Sequence, residues 1–250
     1  MLKIILVGCN GYMGRVVTDM VANDQDMIIT AGIDIDTKKQ NTYPVYTGLD
    51  DITEKADVLL DFSKPAALTG ILKYALSNKT PIILCATGYS QEQLADIDKT
   101  SGQIPVFRSG NMSLGINLLT DLIKRAGTVL GEDFDIEIVE RHHRRKVDAP
   151  SGTAILLADA VAETMPGKPE YIYERESKRK PRSNNEIGIS AVRGGTIVGI
   201  HDVIFAGEDE IIELRHTASS RNVFASGAIK AAKYMQNKQP GMYTMKDLLG

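Results

Sequence analysis

The chain has 250 residues but only two cysteines, Cys9 and Cys85. Each follows an apolar run, and neither belongs to a set with metal-ligand spacing. A disulfide framework and a cysteine metal site are therefore not expected, and a reducing cytoplasm is the expected compartment. Long hydrophobic runs are also missing. No segment approaches the roughly 20 apolar residues of a membrane helix. The apolar stretch Lys3 to Val7 is too short for a signal peptide and runs straight into a glycine turn. Excess positive charge is absent too, since the formal net charge is −3. A general nucleic-acid binder is not expected from that balance, although a local basic site is still compatible with it. No internal repeat or low-complexity tract is present. What remains is a chain that is 43% hydrophobic, enough for one large domain or two ordinary ones.

The first part alternates strand and helix. Lys3 to Val7 ends in Gly8, and Gly8, Gly11 and Gly14 recur every third residue before a helical pattern through Val21. Strand, glycine turn and helix is the order that a dinucleotide site needs. Glycines let the backbone approach a pyrophosphate, whose charge rests on the helix N-terminus. Asn10 stands where the generic pattern has its second glycine. A second strand, Met27 to Ile33, ends in Asp34, an acid placed to bind ribose hydroxyls. Further strands are expected at Val58 to Phe62, Pro81 to Ala86 and Ile104 to Phe107. Helices are expected from about Pro65 to Asn78 and near Gln91 to Thr100. Repeated strand–helix units predict a Rossmann-like, doubly wound parallel sheet. Ligands of such sheets sit at the carboxyl ends of strands. That puts Gly8, Cys9, Asn10, Gly11, Tyr12, Met13, Asp34, Ser63, Ala86, Thr87 and Ser109 to Met112 around one crevice.

The pattern changes after Met112. A helix near Ile116 to Leu130 precedes the strand Phe134 to Glu140, and a helix from Thr153 to Met165 follows. Strand-like runs at Ile187 to Val192, Thr196 to Phe205 and Glu210 to His216 read as hairpin-like neighbours. The second half is thus expected to be an α+β domain with a mixed or open sheet. The charged, turn-rich segment Glu174 to Asn185 reads as a solvated loop.

The richest stretch is Glu140 to Ala154, with the run Arg141-His142-His143-Arg144-Arg145-Lys146 and then Asp148-Ala149-Pro150-Ser151-Gly152-Thr153. Two imidazoles and an amine can move protons near neutral pH. The turn that opens the next helix can hold an anion. Pro150 keeps the helix from starting earlier, and Ser151 or Thr153 can accept from its first N–H groups.

These residues together resemble the family of 4-hydroxy-tetrahydrodipicolinate reductases, also called dihydrodipicolinate reductases. The likeness runs along nearly the whole chain. It includes Gly8 to Gly14, Asp61 to Pro65, Ala86 to Tyr89, Ser109 to Asn117, Arg193 to Val203, His216 to Arg221 and Phe224 to Ala228. The Glu140 to Ala154 segment is its most specific part.

The resemblance implies a nicotinamide cofactor and a cyclic dicarboxylate substrate in the lysine and diaminopimelate pathway. It implies His142 as the acid–base residue, Lys146 as a second proton donor, and His143 with Gly152 and Thr153 as carboxylate contacts. Proton donation by Lys146 and simple charge attraction are not separable from sequence. Around the cofactor it implies the glycine turn, Asp34, Lys64, Cys85, Ala86, Thr87, Ser109, Gly110, Asn111 and Met112, and no metal. It also implies a dinucleotide-binding domain at 1–112 completed by 217–250, a substrate and oligomerisation domain at 113–216, and a homotetramer.

Asp34 favours NADH because a carboxylate repels a 2′-phosphate. Ile35 stands where the family often carries an arginine. Lys38, Lys39 and Lys64 leave NADPH open. The strands from Thr196 to His216 are expected to leave Val198, Ile200, Val203, Phe205 and Ile212 partly uncovered, as an interface does. Two other readings remain: another amino-acid-pathway dehydrogenase, and a nucleotide sensor without catalysis. The His142-His143 and Ser151 to Ala154 run speaks against the first, and intact His142 and Lys146 against the second.

Overall fold

The computed structural model describes all residues from 1 to 250. The chain divides into two compact units: Met1–Leu114 with Arg221–Gly250, and Gly115–Ser220.

The first unit is built on a seven-stranded sheet whose pairings are all parallel. Its strands are β1 (Leu2–Val7), β2 (Met27–Ile33), β3 (Val45–Tyr46), β4 (Val58–Asp61), β5 (Ile82–Leu84), β6 (Pro105–Arg108) and β12 (Gly241–Tyr243). Their order is β12-β6-β5-β4-β1-β2-β3. The strand order reverses between β1 and β4, whose neighbouring strands run outward in opposite senses, and this makes a switch point, where such sheets bind ligands. Helices on both faces explain why β4 and β5 are apolar and buried at nearly every position rather than alternating. The fold class expected from the strand–helix pattern is the one observed.

Local chemistry sets the helix ends. Helix α1 (Tyr12–Ala22) starts directly on Gly11. Pro65 opens a 3-10 turn, so α2 (Leu68–Asn78) begins three residues later than the expected helix. Helix α3 (Gln91–Ser101) starts with a capping box between Ser90 and Gln93. After the second unit the chain returns with α6 (Asn222–Tyr234), which packs on α1. Ala225, Ala228, Ala231 and Ala232 of α6 are fully buried in the core formed with Leu2, Ile4 and Leu6 of β1. Strand β12 and helix α7 (Met245–Leu249) close the unit. Both are too short to show a period in the sequence.

The second unit carries a mixed sheet in the order β11-β10-β7-β9-β8. The strands are β7 (Asp135–His142), β8 (Glu170–Ile172), β9 (Glu186–Arg193), β10 (Gly199–Ala206) and β11 (Ile211–Ala218). Only β10 and β11 form the expected hairpin. Strand β9 does not neighbour β10. Instead β7 lies between them, antiparallel to β10 and parallel to β9. Thr196 lies outside β10, in the turn before it.

Helices α4 (Leu114–Leu130) and α5 (Gly152–Ala162) supply the apolar cover. Ile116, Leu119 and Ile123 of α4 join Ile136, Ile138, Ile187, Ile189, Val203 and Phe205 in one core. Val203 and Phe205 are fully buried there, so they do not contribute to a free apolar face as expected. Strand alternation turns Ile200 and Ile204 to the opposite side. The Glu174 to Asn185 segment is irregular and mostly exposed. Arg175 and Arg182 nevertheless anchor it to Glu186 and Glu137, at 2.8 and 2.7 Å.

The return of α6 depends on a glycine. A Cβ on Gly227 would lie 1.7 Å from the carbonyl oxygen of Met112. Backbone against backbone cannot yield by a side-chain rotation. Gly227→Ala should therefore cost at least the roughly 1–3 kcal/mol typical of overpacking, seen as a lower Tm by circular dichroism. An unchanged Tm would mean that α6 can shift away without loss.

Candidate active site

In the first unit, the expected cofactor residues lie at the carboxyl ends of β1, β2, β4, β5 and β6. The turn after β1 has Gly8 at a φ of +77°, and α1 starts so close that a Cβ on Gly14 would meet the Gly8 carbonyl oxygen at 2.2 Å. Only glycine allows this crossing. Asn10 is 3% exposed and is bound through all its polar groups to the segment after β2. Its N–H donates to Asp34 Oδ2 at 2.8 Å, and its Nδ2 donates to the Asp36 carbonyl at 2.6 Å. Its own carbonyl accepts from Lys39 Nζ at 2.7 Å, and its Oδ1 accepts from Asn41 Nδ2 at 3.0 Å. The second glycine of the generic fingerprint can thus be an asparagine because that side chain is turned into a neighbouring loop.

Asp34 holds the same loop. Its Oδ1 accepts from the Asp36 N–H at 3.0 Å. A carboxylate has about four acceptor positions, so two such bonds leave capacity for ribose hydroxyls. Arg15 braces the loop through Asn41 Oδ1 at 2.9 Å. Tyr12 is exposed, with the Arg221 guanidinium 4.5 Å above its ring. Met13 is half-buried, and Lys64 and Thr87 are exposed.

Buried Asp61 ends β4 and accepts from the Ser63 N–H at 2.8 Å and the Ser63 hydroxyl at 2.5 Å. Burial pushes its carboxyl up despite those bonds. Ser109 Oγ folds the turn after β6 by donating to the Asn111 carbonyl at 2.7 Å. Gly110 is exposed and Met112 is buried. Burial pushes the Cys9 thiol up to about 11 and the Cys85 thiol well up as well. Both stay protonated, so neither is a nucleophile.

In the second unit the site grows out of strand alternation. The covered face of β7 reads Ile136, Ile138, Glu140, His142. Opposite it on β10 the same face reads Phe205, Val203, His201, Gly199. On β9 it reads Ile187, Ile189, Ala191, Arg193. One end of this face is an apolar core and the other end is ionisable. Glu140 is fully buried and His142 is 8% exposed.

The Glu140 carboxylate takes four donors. Oε1 accepts from the Ser151 N–H at 2.9 Å and Arg193 Nη2 at 2.6 Å. Oε2 accepts from Arg193 Nη1 at 2.7 Å and lies 2.6 Å from His142 Nδ1. Arg193 Nη2 also donates to the Asp148 carbonyl at 2.6 Å. The loop from His143 to Pro150 is thereby tied to the same carboxylate.

Ser151 is the N-cap of α5, and its Oγ accepts from the Ala154 N–H at 3.2 Å. That Oγ is also 3.1 Å from Nε2 of buried His201. The His142 and His201 rings meet edge to face, 5.2 Å apart. Gly152 and Thr153 are the first two residues of α5, where backbone N–H groups point out of the helix end. Lys146 Nζ lies 2.9 Å from Asp148 Oδ1. His143 is half-buried beyond the end of β7, with Nδ1 buried and lacking a hydrogen-bond partner.

Electrostatics assign the protonation states. Burial alone would raise Glu140. The hydrogen bonds from Arg193, His142 and Ser151 outweigh it and hold the carboxyl below its usual range. Burial pushes His142 down, and the Glu140 carboxylate only partly restores it. Burial also pushes His201 down to about 4, so it is neutral near pH 7. The Lys146 ammonium holds Asp148 below the usual carboxylate range. A neutral imidazole on an ionised carboxylate, beside a lysine and a helix start, can exchange a proton next to a bound anion. The sequence reading picked out His142, Lys146, Gly152 and Thr153 but gave no role to Glu140, Arg193 or His201. The signal for Glu140 was available: period-two alternation in β7 puts it on the same face as His142.

Two family models match the chain: "Dihydrodipicolinate reductase, N-terminus" over residues 2–112, and "Dihydrodipicolinate reductase, C-terminus" over residues 115–249. A 4-hydroxy-tetrahydrodipicolinate reductase from Caldanaerobacter subterraneus subsp. tengcongensis is 50% identical over 249 residues, covering 100% of this chain and 98% of its own. One from Clostridium tetani is also 50% identical, covering 100% and 97%. The solved structure of dipicolinate-bound dihydrodipicolinate reductase from Paenisporosarcina sp. TG-14 superposes with a TM-score of 0.80 at 25% identity. That match covers 98% of this chain and 97% of the other. A scyllo-inositol dehydrogenase from Lactobacillus casei shares the fold at a TM-score of 0.62 and 14% identity, covering 100% and 93%.

Replacing Arg193 by methionine leaves the Glu140 carboxylate buried without its cation, and should destabilise the protein by about 3–5 kcal/mol. The pH dependence follows from the direction of each shift. In the wild type the carboxyl is depressed, so its contribution is present above the unfolded value of about 4.3 and fades as pH falls through the folded value. In Arg193→Met, burial would raise the carboxyl instead, and acid would relieve the cost. The gap in Tm between the two proteins should therefore narrow as pH is lowered from about 7 to about 4. A gap that does not change with pH would show that Glu140 is not the group left uncompensated.

Proposed function

The chain belongs to the dihydrodipicolinate reductase family and catalyses the NAD(P)H-dependent reduction of 4-hydroxy-tetrahydrodipicolinate in diaminopimelate and lysine biosynthesis; from that premise we propose that His142 delivers the proton. The observation that carries this reading is the buried Glu140–His142 pair beside the Ser151-Gly152-Thr153 helix start.

The glycine turn fits a dinucleotide, because the close crossing at Gly14 and the start of α1 provide backbone for a pyrophosphate. Asn10, Asp34, Lys64, Cys85 to Thr87 and Ser109 to Met112 would line the rest of that site. The nicotinamide, when bound, supplies hydride to the substrate ring. Loss of the 4-hydroxyl as water gives the ring a C=C conjugated to an imine, so the enamine left after hydride addition to that C=C must take a proton. His142 gives it, from the imidazolium form. A dicarboxylate bound nearby brings negative charge that raises the imidazole against the effect of burial. Gly152, Thr153 and His143 hold the carboxylates, with helix α5 directing its positive end at them. Lys146 adds a cation and a second transferable proton.

NADH is the preferred cofactor in this reading, with NADPH accepted less well. Asp34 repels a 2′-phosphate, Ile35 beside it is 96% exposed and uncharged, and Lys39 is engaged by the Asn10 carbonyl. The enzyme works in the cytoplasm; no helix is long and apolar enough to cross a membrane.

It assembles as a homotetramer through the outer face of the second unit's sheet. Ile200 and Ile204 lie on that face, with Val192 44% and Ile211 66% exposed. Asp202 there is gripped by Arg141 and Arg215.

His142→Gln should lower kcat by about 10²–10⁴-fold while changing KM much less. Turnover within a few-fold of wild type, followed by nicotinamide absorbance, would remove His142 from the proton step.

Wild-type kcat/KM should be modestly higher with NADH than with NADPH. Asp34→Ser should shift that ratio toward NADPH. It should also weaken both cofactors, because the Asn10 and Asp36 N–H groups lose their acceptor. A strong wild-type preference for NADPH in steady-state kinetics would overturn the assignment.

A further inference from the structure

We propose that Glu140 is a positioning residue for His142: it fixes the neutral imidazole as the Nδ1–H tautomer and leaves Nε2 as the proton-exchanging atom. The inference rests on the reading of His142 as the proton donor.

Donor counting carries the tautomer. An ionised carboxylate only accepts, at about four positions. Glu140 faces the Ser151 N–H, two Arg193 N–H groups and His142 Nδ1, and it is fully buried. A bare Nδ1 lone pair 2.6 Å from Oε2 would be acceptor against acceptor. The ring must therefore donate from Nδ1, which leaves Nε2 bare. Gly199 of β10 keeps that nitrogen open, since a Cβ there would lie 3.2 Å from Nε2. Because Glu140 is buried behind the ring, it does not contact substrate.

The same carboxylate sets a distance. One oxygen holds the His142 ring and the other holds the N–H that begins the α5 turn. Proton donor and anion cradle are thus spaced by a single rigid group, and Arg193 extends the tie to the Asp148 carbonyl. The charged and titratable groups around His142 are Glu140 on its own strand, Arg193 from β9, His201 from β10 and Lys146 from the following loop. Of these, only Glu140 favours the imidazolium. Its removal should lower the pH at which His142 loses its proton.

Two measurements test this. In wild-type protein with 15N-labelled histidine, the His142 signals, assigned by their loss in His142→Gln, should show protonated Nδ1 and bare Nε2 in the neutral ring. Protonated Nε2 would overturn the proposal, and this result needs no variant of Glu140.

In Glu140→Gln, kcat should fall by about 10²-fold or more, the scale of a lost general acid. KM should stay within a few-fold, and the alkaline limb of kcat should move to lower pH. A loss of kcat with an unmoved limb would mean that Glu140 is only structural, and would overturn the proposal. Failure of the underlying reading looks different: His142→Gln would keep near-normal turnover, while the nitrogen signals would still decide whether Glu140 sets the ring.

Discussion

The site of the second unit hangs on one buried ion pair, Glu140 with Arg193. Taking a carboxylate out of water is costly unless its charge is matched and its lone pairs are filled. Here Arg193 matches the charge bidentately, and a backbone N–H and an imidazole fill the rest. Every other feature of the site follows from satisfying that carboxylate. The strand end, the helix start and the loop between them converge because each brings one of the required donors. Such a pair adds little net stability compared with apolar residues of the same size. What it provides is a single arrangement of His142 relative to α5.

The cofactor half is organised by an analogous economy. Asp34 accepts from the Asn10 and Asp36 N–H groups, and Asn10 bonds back to the same segment through its side chain. The residue proposed to read the ribose also fixes the loop beside the glycine turn. Any effect of a substitution at position 34 on cofactor choice is therefore coupled to loop geometry. A substitution there needs a replacement acceptor for two backbone N–H groups before its effect on phosphate repulsion can be isolated.

Much of the fold was legible because its signals are local. Apolar runs of four to eight residues followed by glycine or serine turns mark the parallel strands, and Gly8, Gly11 and Gly14 mark the first crossing. What was not legible depends on pairing at a distance. Nothing in Ile187 to Val192 says that it lies parallel to β7 rather than beside β10. The short strand β12 has no period to detect, and its identity comes only from its register with β6. The burial of Val203 and Phe205 follows from the helices that cover them, which apolar alternation does not reveal. At the site, His142 and Lys146 stood out by residue type. Arg193 did not, since its separation of 53 positions from Glu140 hides their contact.

The split path of the chain has a consequence for its synthesis. The first 114 residues emerge early, but α6 and β12 belong to the last 30. Until Arg221–Gly250 are made, the β1 core lacks the alanine-rich helix that buries it, and the outer edge of β6 has no partner strand. At ribosomal rates of about 5–20 residues per second, the intervening unit imposes a wait of roughly 5–20 s. During that time the second unit, continuous in sequence, can finish while the first stays open. The half that leaves the ribosome first is thus the half that closes last, with an apolar face and a sheet edge exposed to other nascent chains in the interval.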